Sequence, residues 1–129
     1  MTFVRGYLLA VGTFSVVVGL AYMIRPVEMA ALADLELSSP TAVIDVQGFY
    51  GGQLVGLGAA ILLGLWNPRF VVPALVLAAA PLGGTAVGRL YGVLAGGTCP
   101  PLIAGLLVLE VATASVGGVL LRREISHAA

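Results

Sequence analysis

Four long apolar runs divide the chain, at about 6–24, 46–66, 70–95 and 102–121, and polar breaks separate them. The first, Gly6 to Ile24, is bracketed by Arg5 and Arg25. At about 1.5 Å per residue it just spans a hydrocarbon core of roughly 30 Å. The second opens on polar groups, Asp45, Gln47, Tyr50 and Gln53, then carries no charge until Arg69 and closes in the turn Asn67-Pro68-Arg69. The third holds Pro73 and Pro81, tolerable in a membrane helix whose neighbours satisfy the freed carbonyls. The loop GGTCPP leads into the fourth, and RREISHAA follows as a polar tail.

The segment 25–44 is different in kind. It holds Glu28, Asp34 and Glu36, with an apolar stripe at Met29, Leu32, Leu35 and Leu37. Pro26 suits a first helical turn, so a short interfacial helix and a turn at Ser38-Ser39-Pro40 are expected. An ordinary polar connection is the alternative. Ala31-Leu32-Ala33 could mimic a signal-peptide cleavage site, but the apolar run before it is long for that role.

Small residues recur at every fourth position: Gly48, Gly52, Gly56, Ala60 and Gly64, then Ala80, Gly84, Gly88, Gly92 and Gly96. Residues four apart share a helix face. In water each such glycine costs a helix about 1 kcal/mol; in lipid it lets a neighbouring backbone approach. The expected fold is an all-α, integral membrane four-helix antiparallel bundle, one domain over 1–129, packed along these glycine ridges. Gly52→Leu or Gly88→Leu is then expected to be more damaging than Gly117→Leu.

Composition agrees with a lipid solvent. Hydrophobic residues make up 60% and charged residues 9% of the chain, against about a quarter charged in soluble domains. Six acids balance six arginines, so no basic surface points to nucleic acid. Cys99 is alone, which excludes an internal disulfide, and no spacing of His, Cys and carboxylates suggests a metal. No cofactor motif is present: Gly56-Leu57-Gly58 follows no strand, and there is no P-loop, nucleophile elbow or metalloprotease helix. Arg69, Arg122, Arg123 and Arg5 flank one side of the four spans and Arg25 the other, so the positive-inside rule places both termini in the cytoplasm. Trp66 and Tyr7 read as interfacial anchors, and Ser15, Thr113 and Ser115 as bonded to their own helices.

Two charges lie well inside spans, Arg89 and Glu110. Each costs on the order of 2.5–3.5 kcal/mol at a helix centre. By residue count both fall roughly 10–14 Å below the loop-side surface. Asp45, Gln47, Tyr50 and Gln53 occupy a similar level, and Tyr91 follows Arg89 closely. One reading is a buried ion pair, Arg89 with Glu110 or with Asp45, that fixes the register of the bundle. The other is a polar chamber in which Asp45, Glu110, Arg89 and Tyr50 carry chemistry and Gln47, Gln53 and Tyr91 bind.

The runs GFYGGQLVGLG and GRLYGVLAGG, followed by a lone glutamate in the last span, resemble the small four-span bacterial proteins of the DUF4345 family over roughly Asp45 to Leu121. Asp45, Tyr50, Gly51, Gly52, Gly88, Arg89 and Glu110 fit that family's pattern. Gln47 stands where an arginine is expected and Gly96 where an aspartate is common. The resemblance implies the four-span fold and the polar positions and names no reaction; the expected location is a bacterial inner membrane. Two functions follow as expectations. The first is an accessory or lipid-binding subunit, docking on a larger membrane complex or on copies of itself, or holding a lipophilic ligand. The alternative is an intramembrane acid/base enzyme, of isomerase, cyclase or hydrolase type, acting on a lipophilic substrate. An accessible cavity beside the acids separates the two.

Overall fold

The computed structural model describes residues 2–128, which are helical except at the connections. Helix α1 is Thr2–Ile24 and the short α2 is Pro26–Ala31. Helix α3, Pro40–Trp66, contains a π-helical turn at Gln47–Gly52. A 3₁₀ turn at Pro68–Phe70 leads into α4, Val71–Gly96, and α5 is Pro101–Ala128. The four long helices are each apolar enough to cross a membrane, and this is a multi-pass membrane protein. The helices overrun the apolar runs: α3 begins at Pro40, and the tail after Leu121 continues α5.

Local chemistry sets these boundaries. Ser39 caps α3 by accepting from the Ala42 amide at 3.1 Å, with Pro40 at the first helical position. Helix α2 ends in a double turn closed by Leu35 N–H to Ala30 and Asp34 N–H to Ala31, with Asp34 left-handed at φ 55°. Gly97, at φ 68°, ends α4 in the same left-handed conformation. Pro73 lies in the first turn of α4, where its missing N–H leaves no bond unmade, whereas Pro81 interrupts the ladder.

Packing is pairwise. Helix α1 lies along α3 and α4 along α5. The pairs meet in a cluster of Val4, Leu8, Ile61, Ala74, Leu75, Ala78 and Leu120. All seven belong to the half of the molecule that holds the termini. Tyr7 adds a tie there, its hydroxyl donating to the Thr113 carbonyl at 3.0 Å, so it is a packing residue rather than only an interfacial anchor. Ser15 bonds back to Val11 at 2.9 Å, as its position predicts.

Of the glycines on the four-residue ridges only Gly64 is closely packed, a Cβ there lying 2.8 Å from Ala74 Cβ and 2.9 Å from Leu8 Cδ1. A Cβ built on Gly48, Gly56, Gly84, Gly88 or Gly92 meets nothing within 4 Å, and on Gly52 only the Gln47 carbonyl at 3.9 Å. Four residues advance about 400° around a helix, so such a ridge drifts by about 40° per step and winds off the contact face. Seven residues come almost back into line. Gly12 and Gly19 on α1 and Gly51 and Gly58 on α3 have that spacing, and they meet. A Cβ on Gly19 would lie 2.7 Å from the Gly51 carbonyl oxygen, and one on Gly58 2.6 Å from that of Gly12. Gly117 is also packed, against Tyr7 and with Ala79 Cβ at 2.9 Å, which reverses the expectation that it tolerates leucine.

Candidate functional site

Arg89 of α4 and Glu110 of α5 form an ion pair. Gly83 and Ala86 keep the adjoining surface of α4 small, which lets α5 approach. Glu110 is 7% exposed. The contact is made by Nε alone, 3.0 Å from Oε1 and 3.0 Å from Oε2. This is not the two-pronged fork in which arginine and a carboxylate share two parallel bonds. Among the described residues, Nη1 and Nη2 have no hydrogen-bond partner, and the arginine side chain is 33% exposed. Four of the five N–H donors are therefore free.

The other polar positions divide between two places. Tyr50 stacks on Tyr22 of α1, with ring centroids 5.4 Å apart and 29° between planes, and Phe49 meets Tyr50 edge-on at 5.9 Å. Gln47 donates to the Met23 carbonyl at 2.9 Å and ties the start of the π turn to the end of α1. Asp45 stands apart. It is exposed and pairs with no cation among the described residues. With Thr41, Ile44, Gly48, Phe49 and Gln53 it lines an open groove of ≈ 430 Å³. Tyr91 is 73% exposed; two residues past Arg89, it points about 200° away around the helix.

A profile for a domain of unknown function, DUF4345, matches residues 3–121. The chain belongs to the DUF4345 family. No match was found among curated proteins or among solved structures. The DUF4345 match takes in α1, which the sequence runs quoted above do not reach, and so includes Tyr22.

Tyr22 and the π turn were the parts of this DUF4345 site that sequence reasoning missed. Tyr22 lies three residues after Gly19 and so near the same face of α1, a signal that was available. The π turn leaves none beyond the glycines around Phe49 and Tyr50. Chemically, Glu110 is engaged by Nε on both oxygens. Neither the Asp45 groove nor a second, ≈ 490 Å³ groove at Thr2, Phe3, Gly6 and Tyr7 is lined by Arg89 or Glu110. Among the described residues no three of His, Cys, Asp and Glu come together as metal ligands.

Proposed function

We propose that this DUF4345 protein is a lipophile-binding accessory protein of a bacterial inner membrane, with both termini cytoplasmic and its binding site at Arg89. One observation carries the reading: an arginine inside a membrane span is held by Nε only and keeps four N–H donors free. In hydrocarbon each polar group without a partner costs several kcal/mol. The acceptor group of a bound lipid relieves that cost. Lysine could balance Glu110 as well, but its ammonium has no second edge to offer a guest. The acid/base alternative is weaker, because Glu110 is occupied and Asp45 lines a groove that neither Glu110 nor Arg89 reaches.

Native mass spectrometry of protein released gently from membrane tests the reading. The wild type is expected to carry a small adduct that the variant with both Arg89→Leu and Glu110→Leu lacks. Adducts equal in the two, or absent from both, overturn it.

A further inference from the structure

We propose that the groove at Asp45 is a second lipid site, which takes the primary ammonium of a headgroup such as ethanolamine. Neither Arg89 nor Glu110 lines it, so this site stands or falls apart from the reading above. Three properties of the groove lead there.

The first is placement. All six residues around the ≈ 430 Å³ groove belong to α3, and all six are exposed. It therefore opens outward from the bundle, toward the surrounding bilayer, and not between helices. Thr41, Asp45, Phe49 and Gln53 lie four apart, a row that in an α-helix winds off by about 40° per step. The π turn at Gln47–Gly52 takes more residues per turn and winds the row back, which keeps it on one face. Gly48 supplies the recess, since a Cβ built there meets nothing within 4 Å and a larger side chain would fill free space.

The second is charge. Asp45 follows Pro40 by five residues, about 7–8 Å along the helix from its loop end. That is close to the boundary between headgroups and hydrocarbon. Among the described residues no cation pairs with it, and a carboxylate facing lipid is disfavoured unless it is neutralised. A lipid that brings its own cation supplies the missing charge. An anionic lipid is repelled.

The third is the acceptor set. A primary ammonium carries three N–H donors. The two Asp45 oxygens and the Thr41 hydroxyl, one turn away, offer three acceptor atoms. Phe49, 65% exposed, adds an aromatic ring to the same wall, which favours a cation further. A quaternary ammonium has no N–H to give, and one ring is not the aromatic cage that recognises such groups. Gln53 lies about 12 Å deeper than Asp45, where its amide can donate to an ester carbonyl of the same lipid.

The experiment titrates the delipidated full chain, in uncharged detergent, with dioleoylphosphatidylethanolamine, dioleoylphosphatidylcholine and dioleoylphosphatidylglycerol, and reads bound lipid by native mass spectrometry. The ethanolamine lipid is expected to bind the wild type about tenfold more tightly than either of the others, the lower end of what a hydrogen bond to a charged group is worth. Asp45→Asn abolishes the preference. Gly48→Leu, which fills the recess without meeting a neighbour, abolishes it too. Both positions are exposed, and an unchanged melting temperature shows that each variant keeps the fold. Equal binding of the three lipids, a preference for the choline or glycerol headgroup, or an ethanolamine preference unchanged in Asp45→Asn overturns the proposal. Free ethanolamine that displaces the lipid at equal concentration overturns the lipid as the source of the ammonium.

Discussion

Gly12 of α1 and Gly58 of α3 face each other backbone to backbone. A Cβ on Gly58 would lie 2.6 Å from the Gly12 carbonyl oxygen, and a Cβ on Gly12 3.2 Å from that of Gly58. Such proximity lets Cα–H groups meet carbonyls across the interface, each worth about 0.5–1 kcal/mol. Side chains at these two positions would force the helices apart.

The first prediction follows directly. Gly58→Leu and Gly19→Leu should each destabilise the purified protein by about 1–3 kcal/mol or more, the range for overpacking a filled site. Gly48→Leu and Gly88→Leu should leave its melting temperature nearly unchanged, since nothing lies within 4 Å of the new Cβ. Equal damage from all four in the isolated chain would contradict the interface described here.

A double-mutant cycle addresses the ion pair. Arg89→Met or Glu110→Leu alone should cost about 3–5 kcal/mol, because each leaves a charge without its partner in low polarity. The two together should recover most of that loss, giving strong coupling in the melting temperatures. Additive losses would mean that the two side chains do not act on each other.

Backbone strain gives a third test. Gly97→Ala should cost about 1 kcal/mol, since a Cβ is disfavoured in the left-handed region. Asp34→Gly, at φ 55°, removes the same penalty and should be neutral or stabilising by up to about 1 kcal/mol. Urea or thermal melts of the two variants should move in opposite directions or, for Asp34→Gly, not at all.

Topology is the fourth. A reporter fused after Ala129 should be active on the cytoplasmic side, and one inserted near Ser38 on the opposite side. Both on one face would contradict four crossings.

The helical, four-span character was legible because apolar length is a local property, written in runs such as Gly6 to Ile24. Arg89 and Glu110 were legible as charges inside spans at one depth, but depth alone left Asp45 open as the arginine's partner until the structure paired it with Glu110. What the sequence concealed was direction around the helix axis. Depth placed Asp45 beside Arg89, but the π turn between Asp45 and Gln53 changes the angular count, and Asp45 opens onto another groove. The same uncertainty misassigned the glycines: Gly52 and Gly51 are neighbours, yet only Gly51 is packed against α1, with Met23 Cγ 2.5 Å from its built Cβ.

Because glycine main chain at Gly12, Gly19, Gly51 and Gly58 forms part of the α1–α3 contact, closing that hairpin freezes fewer rotamers than an all-side-chain interface would. The first half of the chain can therefore assemble while the second is still being synthesised. Arg89 and Glu110 reach the bilayer on consecutive helices, so each charge finds its partner in the next segment to be inserted. Synthesis order and pairing order coincide, and no strongly charged helix has to wait in lipid for a distant mate. A chain truncated after Arg69 should accordingly still hold α1 against α3, measurable as cross-linking between cysteines placed at Val16 and Val55.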